Sequence, residues 1–208
     1  MAIAGIVLGA AALVVMLLVE WLKRPRLEIA PARWQAAGPV PWTFAAVEVK
    51  NRPLFPLLRS FLVRDSAQSC EVTLEFREPG KRQLAIPSVP ARWSAQPEPL
   101  RSVPVQGPSG TTFAVQYDPS LVPQSLRLDV PAGDTGREIG VAVLRSDGTA
   151  HAWGAQSYAY VDWKNPDWVL QRQVYEVTVI ARASGVTARH RFTLDNLAAN
   201  FATFSTLK

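Results

Sequence analysis

Cysteine and histidine are scarce in this chain of 208 residues. The single cysteine, Cys70, cannot form an intrachain disulfide, so the fold does not depend on an oxidising compartment. One cysteine and two histidines also fall short of a zinc quartet. Cys70 suits a buried position in a strand. We expect His190 on the inward face of a strand and His151 at the surface after a hairpin turn.

Motifs of catalysis and cofactor binding are absent from the sequence as well. Acidic residues are scattered singly, so neither a calcium loop nor a pair of catalytic carboxylates can be drawn. The chain has no G-x-S-x-G nucleophile motif and no Walker phosphate loop. We therefore predict that the protein is not an enzyme, and we identify no catalytic, cofactor-binding or metal-ligating residue.

The chain carries only a small excess of positive charge, part of it in the basic flank at residues 23–26. Lysine and arginine outnumber aspartate and glutamate by 22 to 17, a net charge of +5 that is typical of a solvated surface. A nucleic-acid-binding domain should show a basic stripe, or aromatic residues interleaved with basic ones on a recognisable motif. The sequence shows neither, so we expect no nucleic acid partner.

A long hydrophobic run opens the chain. Residues 2–19 are eighteen apolar residues without interruption. About twenty apolar residues, at a helical rise of about 1.5 Å each, span a hydrocarbon core of roughly 30 Å. We therefore predict that residues 1–22 form a transmembrane helix in a lipid bilayer. Tryptophan and basic side chains favour the membrane interface. The residues that we assign to this interface are Trp21, Lys23, Arg24 and Arg26.

The flanks of this run predict its processing and its orientation. No basic residue precedes the run, the run is longer than that of a signal peptide, and residues 19–26 contain no A-x-A cleavage site. We therefore expect the helix to be retained as a single-pass anchor. Positive charges favour the cytoplasmic side, which places the following domain in the cytoplasm of a prokaryotic inner membrane. The charges in question are those of Lys23, Arg24, Arg26 and Arg33.

Gly5 and Gly9 form a G-x-x-x-G motif within the apolar run. Small residues let helix backbones approach closely in lipid, where van der Waals packing drives association. We assign both glycines as helix-packing candidates and expect other membrane-protein subunits as partners. The alternative is that glycine and alanine are simply common in such helices.

Beyond the helix the hydrophobic period becomes two. Cys70, Val72, Leu74 and Phe76 alternate with polar residues, which predicts a strand with one buried face. The segments with the same pattern are 45–49, 113–117, 126–130, 139–143, 175–181 and 188–194. Hairpin turns are predicted at residues 147–148 and 184–185. The aromatic run Trp153, Tyr158, Tyr160 and Trp163 is assigned to a strand that returns from the first of these turns.

These strands predict an all-β fold, an antiparallel immunoglobulin-like two-sheet sandwich. Cys70 followed by Trp93 resembles the core of immunoglobulin domains, but the second cysteine is absent, so the prediction concerns an architecture and not a family. The predicted divisions of the chain are a transmembrane helix at 1–22, a basic, proline-rich neck at 23–42, the sandwich at 43–195 and a tail at 196–208. Residues 51–69 and 94–111 are predicted to be long loops.

Tryptophan is the one residue type in excess, with seven copies. Trp163 and Trp168 flank residues 165–167, which have the composition of a loop. An exposed pair of tryptophans there would contact a partner protein or enter the lipid headgroup layer. The alternative is that the loop folds back onto the sandwich.

Two functions fit these features. The first is a membrane-anchored, non-catalytic accessory subunit of a larger membrane-protein complex, which the Gly/Ala helix face and the absence of catalytic motifs favour. The alternative is a tethered module that binds a ligand, a peptide or a lipid surface. Co-purification with stoichiometric partners after mild detergent extraction would distinguish the two.

Overall fold

The computed structural model describes residues 2–32, 35–37, 42–108, 110–133, 135–145, 147–197 and 204–206, and the side chains within these ranges except those of 2–8, 35–37 and 204–206. The helices are α1 (Ala2–Lys23), α2 (Pro56–Arg59) and α3 (Val122–Leu126). The strands of the first half are β1 (Leu27–Pro31), β2 (Gln35–Ala37), β3 (Trp42–Asn51), β4 (Ala67–Arg77), β5 (Val89–Pro90), β6 (Leu100–Gly107) and β7 (Gly110–Tyr117). Those of the second half are β8 (Leu128–Val130), β9 (Arg137–Leu144), β10 (Ala150–Ala152), β11 (Val169–Leu170), β12 (Val174–Ala183), β13 (Val186–Asp195) and β14 (Phe204–Thr206).

Helix α1 ends at Lys23. The next residue, Arg24, precedes Pro25, and a residue in that position disfavours the α conformation. Its described side chains begin at Gly9, and nearly all of them are exposed as far as Trp21. In the part of the chain described at side-chain level, no helix is both long enough and apolar enough to cross a membrane.

Two antiparallel sheets form the body of the protein. The first has the strand order β1-β3-β9-β10-β11, with β2 also paired to β3. The second has the order β14-β13-β12-β4-β5, with β8 also paired to β4. The prediction of an all-β fold made of antiparallel sheets is therefore confirmed, and the arrangement is consistent with a sandwich.

The core lies between the two sheets and contains the predicted alternating faces. In β4 the buried residues are Ala67, Cys70, Val72, Leu74 and Phe76, and β3, β12 and β13 contribute buried residues to the same cluster. Trp93 is completely buried among them, and its indole Nε1 donates hydrogen bonds to the carbonyl oxygens of Cys70 at 2.9 Å and Leu126 at 3.1 Å. The period-two pattern thus identified the strands that build the core.

A second, aromatic layer covers the outer face of the first sheet. It explains why every residue of β9 from Ile139 to Leu144 is buried. The aromatic strand predicted after the first hairpin is wrong, because β10 ends at Ala152 and the chain continues in short 3-10 turns. Asp162 and Trp163 have φ angles of 54° and 61°, and two consecutive residues in this left-handed region interrupt a regular strand. The rings of Trp153, Tyr158 and Trp163 instead pack against one another over the first sheet, and together with Trp42 and Phe44 they form the aromatic layer.

The sandwich is longer than predicted at both ends. Strand β1 lies in the segment assigned to the neck, and it pairs with β3 from Leu27 opposite Asn51 to Pro31 opposite Val47. Strand β14 lies in the segment assigned to the tail and pairs with β13. Short edge strands of this kind carry too few alternating residues to be recognised from their sequence.

Strand β6 lies within the region predicted to be a long loop at 94–111, and it forms a hairpin with β7, which contains the strand predicted at 113–117. Among the described residues these strands pair with each other and with no further strand, from Leu100 opposite Tyr117 to Gly107 opposite Gly110. The predicted buried face of 113–117 is also wrong, because Phe113 and Val115 are exposed. Prolines and arginines are tolerated in this hairpin because neither face enters the core.

Candidate membrane-proximal site

Hydrogen bonds fasten the end of α1 to the loop between β3 and β4. The backbone N–H of Asp65 donates to the carbonyl oxygen of Lys23 at 2.8 Å, and the guanidinium of Arg64 donates to that of Arg24. The N–H of Arg52 donates to the carbonyl oxygen of Arg26 at 2.8 Å. Both ends of the segment 52–65 are therefore tied to the C-terminal end of the apolar helix and the residues that follow it.

Asn51 holds this junction together from the inside. Its side chain is completely buried and accepts a hydrogen bond from the N–H of Arg26 at 2.9 Å. Its amide nitrogen donates to the carbonyl oxygens of Asp65 at 2.8 Å and Val130 at 3.2 Å. One carboxamide thus joins the exit of the helix, the loop and the second sheet, which satisfies backbone groups that burial would otherwise leave unpaired.

Four large apolar side chains project from the loop into solvent, and we call them the apolar tip. They are 73% to 86% exposed. The residues of the apolar tip are Phe55, Leu57, Phe61 and Val63. Contiguous exposed apolar groups on a small protein mark a protein-binding or membrane-binding surface. Since the loop is tied to the end of α1, the apolar tip and the helix belong to one region of the molecule.

A cavity of about 440 Å³, the basic cavity, lies between this loop and the first sheet. Its lining contains five cationic side chains and one carboxylate, that of Glu28. The cationic residues are Arg26, Lys50, Arg52, Arg59 and Arg64. Arg52 makes a bidentate ion pair with Glu28, which lowers the pKa of that carboxyl through the hydrogen bonds to Arg52. The Nζ of Lys50 lies 2.8 Å from the carboxylate oxygen Oε2 of Glu48. Arg26 and Arg64 form no ion pair with a carboxylate among the described residues, so these two positive charges are not neutralised by such a pair.

Arg64 is the most deeply placed of these cations. It is 6% exposed, and its Nε has no hydrogen-bond partner among the described residues. Burial and, to a smaller extent, the charge of Arg26 lower the pKa of Arg64. A buried cation is costly unless an anion or a full set of acceptors compensates it. The basic cavity is therefore suited electrostatically to an anionic group.

The predicted interface residues surround the same junction. Trp21 is exposed, and the guanidinium carbon of Arg26 lies 4.6 Å from the centroid of its ring, within range of a cation–π interaction. Arg24 is exposed, and the Nζ of Lys23 lies 3.8 Å from a carboxylate oxygen of Glu20. Arg33, which contributed to the orientation prediction, lies outside the described residues.

The helix-packing candidates are only partly visible. A Cβ atom added to Gly9 would meet nothing within 4 Å, so this position of the helix is open. The surroundings of Gly5 lie outside the described residues. Packing of either glycine against another helix stays a prediction.

The two tryptophans proposed as partner contacts have different surroundings. Trp168 is only 3% exposed and packs in the core, as in the alternative in which the loop folds back. Trp163 joins the aromatic layer, with ring centroids 4.3 Å from Trp42 and 4.7 Å from Trp153. Its ring also lines a cavity of about 350 Å³ together with Tyr158 and Arg92.

The groups with chemical reactivity are largely buried. Cys70 is buried, and burial raises the pKa of its thiol to about 12, so it is a poor nucleophile. His151 is buried in β10, contrary to the surface position expected for it, while His190 is partly buried on the inward side of β13. In the described ranges, no three histidine, cysteine or acidic residues converge to hold a metal ion.

Sequence reasoning missed the basic cavity and the apolar tip. The segment R-P-L-F-P-L-L-R-S-F-L-V-R at 52–64 was interpreted only as a long loop. Its signal was an apolar run without period two, interrupted by arginines, which neither a strand nor a solvated loop requires. What the sequence did not reveal is that the loop returns to the end of α1.

Comparisons with protein-family models, with curated proteins and with solved structures found no match for this chain.

Proposed function

We propose that this protein is a membrane-anchored, non-catalytic accessory subunit of a larger membrane-protein complex. Helix α1 crosses the bilayer once, and an immunoglobulin-like sandwich lies on the cytoplasmic side of a prokaryotic inner membrane. The residues at the level of the headgroups are Trp21, Lys23, Arg24 and Arg26. The sandwich is held close to the membrane because its loop 52–65 is fastened to the end of the helix.

The uncovered apolar surface of α1 is the observation that carries this proposal. The side chains from Leu13 to Leu18 are 53% to 67% exposed, and no part of the described β-domain packs over them. An apolar surface of this size is costly in water, so it requires lipid or another helix to cover it. The uninterrupted apolar sequence from Ala2 to Val19 supports the bilayer as the cover.

The β6–β7 hairpin supports contact with a protein partner. It is joined to neither sheet, and Phe113 and Val115 project from it into solvent. A two-stranded hairpin alone is only marginally stable in water. Packing of Leu100 and Tyr117 against the aromatic layer supports its base. Its distal part is suited to insertion against another subunit, where the exposed apolar side chains would be buried.

The test is the composition of the complex after extraction in a mild detergent. We expect the chain at a fixed ratio to its partners by size-exclusion chromatography with light scattering. The double variant Phe113→Ser/Val115→Ser should lose most of the partner yet keep its thermal stability, because both side chains are exposed. Val161→Ser removes an equally exposed side chain elsewhere and should keep the partner. A wild-type protein that elutes alone and monodisperse would contradict the subunit proposal.

The cavity beside the aromatic layer favours a second candidate, a tethered binding module. Its volume of about 350 Å³ falls in the range of small-molecule sites, and its lining combines aromatic rings with Arg92 and Glu98. A module of this kind would be monodisperse in detergent. Substitution of Tyr158 with Phe would then weaken the binding of the ligand without changing the oligomeric state of the protein.

A further inference from the structure

We infer that the basic cavity binds the phosphate-bearing headgroup of an anionic phospholipid, and that the apolar tip lies among the acyl chains of the same leaflet. This inference rests on the proposed function, because it requires that α1 spans the bilayer. It adds a specific lipid ligand and a second point of membrane contact to that anchor.

The position of the cavity supports a lipid as the ligand. Arg26 lines the cavity and lies three residues beyond the end of α1 at Lys23. The carbonyl oxygens of Lys23 and Arg24 accept hydrogen bonds from the loop that forms the cavity wall. If the apolar helix occupies the hydrocarbon core, residues this close to its end lie in the headgroup layer. The cavity then opens where phosphates are concentrated.

The charge of the lining supports an anionic headgroup. Arg52 is paired with Glu28 and Lys50 with Glu48, whereas Arg26 and Arg64 form no ion pair with a carboxylate among the described residues. Arg64 brings a buried guanidinium whose Nε has no partner among the described residues. A phosphate oxygen is the acceptor that arginine binds best, because the guanidinium presents several donors in a plane.

The apolar tip supports a lipid over a soluble phosphate. Phe55 both lines the cavity and belongs to the apolar tip, so the two features are continuous. A free phosphate ion would use the cations and leave Phe55, Leu57 and Phe61 in water. A phospholipid uses both parts, since its headgroup meets the cations while its chains meet the exposed aromatic and aliphatic groups. Aromatic side chains next to basic ones are typical of membrane interfaces.

The depth of the loop is measured on the full chain reconstituted in vesicles of phosphatidylcholine and phosphatidylglycerol. Phe61→Cys is labelled with an environment-sensitive fluorophore, and doxyl-labelled lipids serve as quenchers. Thr112→Cys in the hairpin is the water-exposed control, and Met16→Cys in α1 reports on the anchor. Native Cys70 is buried and serves as the labelling blank. We expect quenching at positions 16 and 61 but not at 112.

These labels separate the two proposals. Quenching at position 16 without quenching at 61 would overturn the lipid contact of the loop and leave the anchor standing. Absence of quenching at both positions would overturn the anchor and the lipid site together.

Headgroup selectivity is measured by native mass spectrometry of the detergent-solubilised full chain with phosphatidylglycerol, phosphatidylcholine or inorganic phosphate. We expect phosphatidylglycerol to be retained preferentially. The double variant Arg26→Gln/Arg59→Gln should weaken the binding of phosphatidylglycerol by roughly 25-fold, because each arginine near the membrane surface contributes a factor of roughly five to the affinity. The matched control, Arg82→Gln/Arg172→Gln, removes two exposed arginines outside the cavity and should retain the lipid.

Three outcomes would overturn the lipid assignment. One is equal retention of the two phospholipids by the wild type. Another is an equal loss in the matched control, which would indicate a general effect of net charge. The third is displacement of phosphatidylglycerol by inorganic phosphate at a comparable concentration, which would make the cavity a site for soluble phosphate.

Discussion

Gly140 illustrates at the scale of one residue how the aromatic layer is fitted to the first sheet. A Cβ atom at this position would lie 2.4 Å from Cδ1 of Trp153, closer than any real contact. Gly140 lies in β9, where a glycine ordinarily weakens a strand. The close approach of the indole ring is therefore the physical reason for a glycine here.

Gly140→Ala should lower the free energy of unfolding by about 1–3 kcal/mol, because the added methyl group overpacks the site. Gly133→Ala is the matched control, since nothing lies within 4 Å of the added Cβ atom. We expect the free energy of unfolding of that control variant to lie within about 0.5 kcal/mol of the wild-type value. Urea unfolding followed by tryptophan fluorescence compares the two variants, and equal stability would contradict the packing described for Trp153.

His151 links the stability of the fold to pH. Burial and the charges of Arg145 and Lys164 lower the pKa of His151, while Asp147 opposes them. In the unfolded chain the pKa returns to about 6.5. Below that pH the unfolded state binds more protons than the folded state, so the free energy of unfolding falls as the pH falls towards the lower folded value.

His151→Gln should reduce this pH dependence, by at most about 1.4 kcal/mol per pH unit. The measurement is the difference in unfolding free energy between variant and wild type at a series of pH values. We expect a constant difference above about pH 7 and a difference that shifts in favour of the variant below about pH 6.5. If the difference in unfolding free energy were the same at every pH, His151 would have the same pKa in the folded and unfolded states, which would contradict the prediction.

At the scale of elements, the sequence predicted strands wherever one face of a strand meets the core. The alternation in β4 and β13 follows directly from the greater burial of every second residue, while the central strand β12 is buried on both faces from Val177 to Ala181. It missed β6, which buries neither face, while β7 and β9 are strands as predicted but differ in burial, because β7 is exposed on both faces and β9 is buried on both. It also failed at residues 153–163, where aromatic side chains form a layer and the backbone turns.

The candidate site at the end of α1 was predictable only in part. The apolar run and its basic flank are local, so Trp21, Lys23, Arg24 and Arg26 were assigned from sequence. The basic cavity brings together residues as far apart as Arg26 and Arg64, and their approach depends on hydrogen bonds through Asn51 that no local pattern reveals. Interactions of this range follow from the fold and not from periodicity.

Gly9→Leu tests the helix as a packing surface. In lipid the variant is as apolar as the wild type, so it should reach the membrane at normal levels. The leucine side chain would fill the open position and push a partner helix away, which should reduce the amount of co-purified partner. Leu17→Ile is the control and should change little. A Gly9→Leu variant that keeps its full partner complement would assign assembly to the β-domain alone.

At the scale of the whole molecule, the proposed orientation follows from the distribution of charge. Three basic residues, Lys23, Arg24 and Arg26, lie at and just beyond the C-terminal end of α1, and positive charge favours the cytoplasmic side of a membrane. Protease added outside intact cells should therefore spare the β-domain, and permeabilised cells should lose it. Digestion of the β-domain without permeabilisation would contradict the proposed orientation, because the domain would then lie on the outer side of the membrane.

The account depends most on whether the apolar helix is embedded in lipid. Alkaline carbonate releases proteins that adhere to membranes and leaves embedded ones in the pellet. We predict that the full chain remains in the membrane pellet and that its intact mass includes the residues of α1. Recovery of the protein in the carbonate supernatant, or of a fragment that begins beyond Lys23, would contradict the anchor and with it the proposed lipid site.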